Sequence, residues 1–308
     1  MTKSSLIKDD SLENLSDYVQ QHPTESSFES QSPWIIVEPI EYQIRKKIEK
    51  FGTPLKEWSL NIYRGILTGL NDAFIIDKET REKLIREDPK SEHIIRPILR
   101  GKDIKRYGYD FMQTYLIVTH NGNKIKGIPP VNINDYPAVK EHLEKYLDKL
   151  EKRQDRGDTP YNLRNCVYMD EFSKTKIIYP CIMRDGPHFM YDSEGKFFTP
   201  APGNIITGEH LQYLIGFLCS NITYFALRKF YMGGGIEGEL KTNRLLILPI
   251  PKFSGSETDK NIELLVMKIN KEIEKNNNQL LSEIDSLVAE KYRLTDEEKS
   301  FISKEKYI

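Results

Sequence analysis

The chain has 308 residues, of which 38% are hydrophobic and 30% charged, a balance that suits a soluble globular protein large enough for two domains. Its 45 basic and 46 acidic residues give a formal net charge of -1, which excludes a uniformly basic coat for nucleic acid but allows a local basic face. The cysteines, Cys166, Cys181 and Cys219, are far apart and form no CxxC pair, so we interpret them as core thiols rather than zinc ligands.

Residues 1–58 are predicted to form an N-terminal arm or linker with short helices. The first 32 residues are polar and include a predicted short helix over residues 12–20. Residues 34–37 predict a short strand, and residues 41–51 have helical spacing that ends at Gly52. No signal peptide is visible in this polar, acidic start, so the chain is expected to be cytoplasmic.

The stretch from residue 61 to residue 107 contains a dense set of candidate nucleic-acid contacts. Residues 60–66 and 73–77 predict two short strands, joined by a T-G-L-N loop that presents Thr68 and Asn71. A charged helix is predicted over residues 79–87. The basic segment that follows contains Arg96, Arg100, Lys102, Lys105 and Arg106. A small-residue loop beside such a segment suits phosphate groups, although a solvated turn and basic loop explain the same pattern.

A second cluster of candidate contacts follows a predicted strand over residues 115–120, a Gly/Pro loop over residues 121–130, and a helix. This helix begins at Tyr136-Pro137 and ends near Arg153. Its apolar face is formed by Val139, Leu143, Tyr146 and Leu150. The turn-rich loop after it presents Arg153, Arg156, Tyr161 and Arg164. Arginine forks beside an aromatic ring suit phosphates or a base edge, and an exposed loop held by pairs with Asp155 and Asp158 is the alternative.

Residues 176–255 are predicted to complete a globule that begins at residue 59. Residues 176–183 predict a strand, and residues 188–199 predict a hairpin. Residues 209–231 predict a helix that is apolar on almost every side, and therefore buried. Its most apolar part is too short to cross a bilayer, so no membrane partner is expected. A last strand is predicted over residues 245–251.

A glycine loop over residues 232–238 resembles a phosphate-binding loop only in the spacing of two glycines. Glu239 and Leu240 stand where such a loop needs lysine and a hydroxyl residue, which excludes a nucleotide P-loop. The loop is either a tight turn or a place of close backbone approach to DNA, with Lys241 and Arg244 beside it.

Residues 256–308 are predicted to form a C-terminal helical hairpin, or one long bent helix. Two apolar stripes indicate this, formed by Ile262, Leu265, Ile269 and Ile273 and then by Leu280, Ile284, Leu287, Val288 and Tyr292. Thr295 and Glu298 predict a capping box for a short final helix. The stripes pack either on the chain's own globule or on a partner protein.

Five segments in order resemble the TaqI-like specificity domain, the target-recognition region of type IIG restriction–modification enzymes and related adenine-specific DNA methyltransferases. These five segments follow the run GILTGLNDAFIID with LIREDPKSEHIIRPILRGKDIKRY, which is also similar, and they are YPAVKEHLEKYLDKLEKRQDRGDTPYNLRNC, KIIYPCI, ITGEHLQYLIGFLCSNITYF, LPIPKF and EIDSLVAEKYRLTDEEKSFI. Tyr161 departs from the tryptophan that the family often has. The resemblance implies an α+β fold, with a double-β-helix-like, β-rich recognition globule followed by a C-terminal helical hairpin. It also implies a DNA target-recognition domain over residues 59–255.

The chain lacks the motifs of the catalytic parts of such enzymes. It has no cofactor loop after a first strand and no N-P-P-Y segment, so no cofactor is expected in this chain. S-adenosylmethionine is expected on a separate methyltransferase domain or subunit. No catalytic or metal-binding residue stands out. We therefore expect a double-stranded DNA recognition module that is not an enzyme in isolation. The alternatives are an enzyme with an unrecognised site, or a protein-interaction module without DNA binding.

Overall fold

The computed structural model describes residues 2–4, 24–26, 38–232, 238–271 and 278–305. The predicted helix over residues 12–20, the predicted strand over residues 34–37 and most of the glycine loop lie outside these residues. The α-helices are α1 (Pro39–Phe51), α2 (Asn71–Phe74), α3 (Lys78–Glu87), α4 (Pro137–Glu144), α5 (Leu147–Lys152), α6 (Leu211–Leu218), α7 (Asn221–Ala226), α8 (Thr242–Leu246), α9 (Glu257–Lys271), α10 (Asn278–Tyr292) and α11 (Asp296–Lys304). None of the described helices is long and apolar enough to cross a membrane.

The described strands are short and pair antiparallel. They are β1 (Thr2–Ser4), β2 (Thr24–Ser26), β3 (Thr53–Pro54), β4 (Leu60–Arg64), β5 (Ile75–Ile76), β6 (Ile95–Pro97), β7 (Tyr115–Ile117), β8 (Lys176–Tyr179), β9 (Met190–Asp192), β10 (Asn204–Gly208) and β11 (Pro249–Ile250). A four-stranded sheet has the order β4-β10-β8-β9, and a three-stranded sheet has the order β5-β7-β6. The strands β1 and β2, and β3 and β11, form two-stranded pairs. The α+β fold class is confirmed.

The four-stranded sheet lies between two hydrophobic cores. Alternate residues of a strand point to opposite faces of a sheet. On β8, Ile177 belongs to the first core and Ile178 to the second, and on β10 the same holds for Ile206 and Ile205. The central strands are therefore buried on both faces.

The first core joins the N-terminal helix α1, the buried helices α6 and α7, and the C-terminal helices. Ile44 of α1 and Ile262 of α9 are fully buried in it. Gly216 of α6 allows this packing, because a Cβ there would lie 2.4 Å from Cγ2 of Ile262. The C-terminal hairpin thus packs on the chain's own globule. The capping box of Thr295 and Glu298 at the start of α11 is confirmed.

The second core lies on the other face of the sheet. Its residues come from the three-stranded sheet, from α3 and from the pair α4 and α5. The predicted apolar face, with Val139, Leu143 and Leu150, is buried there. The predicted domain boundaries after residues 58 and 255 stay a prediction, since both flanking segments contribute to the first core.

The hairpin predicted over residues 188–199 is wrong. Strand β9 pairs with β8, and Phe198 instead bridges Ile98 in parallel. The reason is the carboxylate of Asp192, which accepts hydrogen bonds from the backbone N–H groups of Lys196 and Phe197 and from the Lys176 ammonium. These bonds hold a turn that leads the chain away from β9.

Four other predicted elements are interrupted or shortened. The helix over residues 209–231 divides at Ser220, whose hydroxyl caps α7 by accepting from the Thr223 N–H. The helix that follows Pro137 divides between α4 and α5. Only β5 and β11 remain of the strands predicted over residues 73–77 and 245–251, because α2 and α8 take up their neighbouring residues. Each interruption follows from local capping or packing that hydrophobic periodicity does not report.

Candidate nucleic-acid interface

The T-G-L-N loop at residues 68–71 lies directly against the arginine loop at residues 153–164. Gly69 has a φ of +67°, and a Cβ at this position would lie 2.9 Å from the carbonyl oxygen of Asp155. The hydroxyl of Thr68 is buried and donates to Oδ1 of Asn71 over 2.6 Å, while Asn71 itself is exposed. Two of the predicted groups of contacts are therefore brought together, and glycine is required where they meet.

Arg153 joins the two loops from inside the protein. Its side chain is only 8% exposed, and its guanidinium donates to the backbone carbonyls of Thr68, Pro160 and Asn162. The guanidinium also lies 4.6 Å from the ring centroid of Phe74. Burial lowers the pKa of Arg153 to about 10, and the neighbouring Arg156 acts in the same direction.

The prediction that Thr68 and Arg153 present their side chains to DNA is corrected by this geometry. Both groups are buried and committed to partners within the protein. The guanidinium donates to three carbonyls and its Nε is also buried, so the group is not presented to a phosphate at the surface. Thr68 and Arg153 hold the shape of the loops, and Asn71 occupies the adjacent surface.

The outer part of the arginine loop carries exposed cationic groups. Arg156 is exposed and donates to the carbonyl of Glu151 over 3.1 Å. Arg164 is 56% exposed and pairs with Asp155 at 2.8 Å. Tyr161 is half-buried against the second core, and burial raises its pKa. The Arg–Asp pair that was the alternative to DNA contact is therefore present for Arg164. Exposed ion pairs of this kind contribute little to the free energy of unfolding.

Asn162 holds the arginine loop in place through hydrogen bonds, a role that the sequence alone did not predict. Its buried amide donates to the carbonyl of Val131 over 3.1 Å, and its side-chain oxygen accepts from the hydroxyl of Thr159. Its carbonyl is one of the acceptors of Arg153. Nothing in the local pattern distinguishes this asparagine from a solvated one, because its partners lie on other segments.

The basic segment on and after β6 contains both paired and exposed cations. Arg96 is exposed on β6. Arg100 pairs with the buried Asp103 at 3.2 Å. Lys105 pairs with Asp110 at 3.4 Å. Arg106 lies 3.9 Å from Asp285 of α10, and Lys102 is exposed. Arg100, Lys105 and Arg106 are therefore each paired with a different carboxylate, and Arg96 and Lys102 are exposed.

A third group of cations surrounds the end of β8. Lys241 pairs with Glu239 at 3.6 Å, and the next residue along the chain, Leu240, donates its N–H to the carbonyl of Cys181. Burial raises the pKa of Cys181, and Arg64 and Lys241 oppose this shift, so both cations act on the same thiol. Arg244 is half-exposed on α8, one turn beyond Lys241.

Arg64 and Tyr168 connect this group to the arginine loop. The hydroxyl of Tyr168 donates to the carbonyl of Arg64, and its ring stacks on Tyr63 with centroids 4.5 Å apart. Burial raises the pKa of Tyr168, while Arg64 and Arg164 both lower it. Sequence reasoning did not select Arg64, although it stands at the end of a predicted strand beside the T-G-L-N loop.

A cavity of about 230 Å³ opens between β6, the 121–130 loop and the segment around residue 169. Its polar lining consists of His93, Arg96, His120, Asn123, Cys166, Asp170 and Ser173. Burial lowers the pKa of His120 and raises that of Cys166 to about 11, so the imidazole and the thiol are both neutral at pH 7. Among the described residues, no three His, Cys, Asp or Glu side chains come together as a metal site would require.

Comparison with known proteins identifies a family and solved structures with a similar fold. Residues 96–250, about half of the chain, match the TaqI-like C-terminal specificity domain. The type IIL restriction-modification enzyme MmeI, solved in complex with DNA, is similar with a TM-score of 0.58 and 14% identity, over 82% of this chain and 36% of that one. The type IIG restriction endonuclease BpuSI is similar with a TM-score of 0.50 and 15% identity, over 82% of this chain and 33% of that one.

The chain spans about a third of the length of these two enzymes. At 14% and 15% identity, the structural similarity shows a shared fold and nothing further. It extends beyond the segment that matches the family, because it covers 82% of the chain. No curated protein matches the sequence.

Proposed function

Because the chain belongs to the family of TaqI-like C-terminal specificity domains, we propose that it is the double-stranded DNA target-recognition module of a restriction–modification system. In this role it positions an adenine-specific methyltransferase, together with any attached nuclease, on a target sequence. The observation that carries the proposal is the contact between the T-G-L-N loop and the arginine loop. This contact supports exposed cations on a chain whose net charge is only -1.

The exposed groups at this contact have the chemistry that DNA recognition requires. The guanidinium groups of Arg156 and Arg164 can bind a phosphate or form a fork with guanine, and the amide of Asn71 is the type of group that reads adenine. The pair between Arg164 and Asp155 is exposed, so exchanging the carboxylate for a phosphate has a small energetic cost. Arg64 and Lys241 extend the cationic surface beyond Tyr168.

Two features of the structure weigh against the alternative functions. The cavity contains a thiol at Cys166, but its raised pKa disfavours the thiolate that a nucleophile needs. The C-terminal hairpin buries its apolar stripes on the chain's own core, so those stripes do not require a partner protein. A methyltransferase domain or subunit remains the proposed partner.

Replacement of single arginines tests DNA recognition. We expect Arg156→Ala to weaken DNA binding, because the exposed guanidinium is lost without loss of a core contact. If Arg156 binds a phosphate, affinity falls equally for all sequences and the salt slope becomes shallower by about one unit. If it reads a base, specificity relaxes at one position of the target site, and the lost discrimination against the wrong base is roughly 1–3 kcal/mol. Arg100→Ala tests the basic segment in the same way.

The control is Arg45→Ala, which removes one positive charge from α1, on the N-terminal arm. Affinity, salt slope and site preference are measured for all three variants in the assembled enzyme. The DNA-recognition hypothesis is falsified if Arg100→Ala and Arg156→Ala both behave like the wild type.

The cofactor provides a second test. We expect that the chain alone neither binds S-adenosylmethionine nor transfers a methyl group, because the cofactor loop and the N-P-P-Y segment belong to the proposed partner. Calorimetry with the cofactor measures this. Micromolar binding by the isolated chain, about -8 kcal/mol, would contradict the assignment of recognition alone.

A further inference from the structure

The loop over residues 121–130 presents a rigid turn with an isoleucine at its tip. Ile125 is 95% exposed. The backbones of Asn123 and Ile128 exchange two hydrogen bonds of 2.8 and 2.9 Å. The side-chain oxygen of Asn123 accepts from the N–H groups of Ile125 and Lys126, and Gly127 has a φ of +66°. These bonds hold the tip in one conformation before any ligand is present.

The base of this turn is attached to the candidate interface. The amide of Asn121 donates to the carbonyl of Leu163 over 2.7 Å and accepts from the N–H of Asp158. The amide of Asn123 donates to the carbonyl of Val167 over 3.0 Å. The tip therefore projects from the surface that carries Arg156 and Arg164.

The composition of the turn indicates what it contacts. Residues 121–130 contain two lysines, Lys124 and Lys126, and no acidic residue. Lys126 is held by Asp170 at 2.6 Å, whereas Lys124 stands beside the tip. An isolated exposed apolar residue is ordinary, but one placed at a rigid cationic tip beside a nucleic-acid interface suits an apolar group on DNA. The C5-methyl group of thymine is the apolar group that a base edge displays in the major groove.

We propose that Ile125 is a specificity-determining residue that contacts the C5-methyl group of a thymine in the major groove, with Lys124 near the adjoining phosphates. This proposal rests on the proposed function. Contact with a methyl group leaves the duplex undistorted, whereas insertion between base pairs requires unstacking of the DNA. Methyl recognition is therefore the less costly use of one aliphatic side chain.

A selection from random duplexes tests the proposal. The full chain selects from a random pool amplified with dTTP, and from the same pool amplified with dUTP, which lacks the C5-methyl group. We expect the wild type to enrich a T:A pair at one position in the dTTP pool and to lose that preference in the dUTP pool. Ile125→Ala is expected to lose the same preference in the dTTP pool. In both cases the enrichment of the T:A pair is expected to fall about fourfold, which corresponds to the burial of one methyl group.

Leu264→Ala is the matched control, because it shortens another exposed aliphatic side chain on α9. It should select like the wild type. The thymine proposal is overturned if Ile125→Ala enriches the wild-type motif with equal strength. It is also overturned if uracil replaces thymine without effect, or if Ile125→Ala weakens all sequences alike. A wild-type chain that enriches no motif overturns the proposed function as well, so the two failures are distinguishable.

Discussion

Arg153 shows that an arginine in a turn-rich loop can act inside the protein. Arg153 and Arg156 lie three residues apart in the same loop. The guanidinium of Arg153 donates to three carbonyls and lies over the ring of Phe74, whereas Arg156 is exposed. The planar guanidinium is suited to this role because it directs several N–H groups at once. A lysine has a single nitrogen and cannot reach all three acceptors.

We therefore predict that Arg153→Lys lowers the free energy of unfolding by about 2 kcal/mol, since buried carbonyls lose their donors. Urea unfolding measures the change. Arg156→Ala is the control and should stay within about 0.5 kcal/mol of the wild type. An Arg153→Lys protein as stable as the wild type would contradict the role of Arg153 in joining the loops.

At the scale of elements, Asp259 ties the start of α9 to the end of α10. Its buried carboxylate accepts from the N–H and hydroxyl of Ser254, both at 2.7 Å, and from the ammonium of Lys291 at 2.6 Å. Burial raises the pKa of this carboxyl, but these hydrogen bonds outweigh burial and hold the pKa well below its ordinary value. The folded state thus binds fewer protons than the unfolded state near pH 4.

The sign of the pH dependence follows from this depressed pKa. The stabilisation is fully present above the ordinary pKa of about 3.9, and it is lost as the pH falls through the lower value of the folded state. We predict that Asp259→Asn lowers the free energy of unfolding at pH 7 by about 3 kcal/mol, because Lys291 loses its partner. Below pH 4 the free energies of unfolding of Asp259→Asn and the wild type should become more similar.

Unfolding curves between pH 2 and pH 7 check this prediction. Asp296→Asn is the control, since Asp296 is an exposed residue paired with Lys299 on α11, and it should leave the curve unchanged. A difference between wild type and Asp259→Asn that is constant over this range would show that the ionised carboxylate is not the cause.

At the scale of the whole molecule, the C-terminal helices are part of the folded unit. Ile262, Val266, Ile284 and Val288 are all nearly or fully buried in the first core beside α6 and α7. Removing these helices would expose the buried face of α6, including Gly216, which is shaped to receive Ile262. The hairpin is therefore required by the globule even where a partner also binds it.

We predict that a chain truncated after Gly255 fails to unfold cooperatively and aggregates, because a large apolar surface is left without cover. Thermal unfolding of the truncated and full chains measures this. Full-length Leu264→Ala, altered on the solvent side of α9, is expected to melt like the wild type. A truncated chain with an unchanged Tm and unchanged co-purification with a methyltransferase would refute the prediction.

The sequence by itself determined the elements whose signals are local. The helical spacing before Gly52, the charged helix that stops at Asp88-Pro89 and the capping box at Thr295 all recur in the structure. Five ordered segments also identified the family. These features depend on neighbouring residues along the chain, so a single sequence is enough to recognise them.

Only the tertiary structure decided which loops meet and which cations remain at the surface. Arg153 and Thr68 are 85 positions apart, and no local pattern reports that one bonds the other. Asp192 redirects the predicted hairpin through bonds to Lys176, which lies on another strand. Periodicity shows which face of an element is buried but not what covers it, because the covering groups belong to distant segments and burial depends on all of them together.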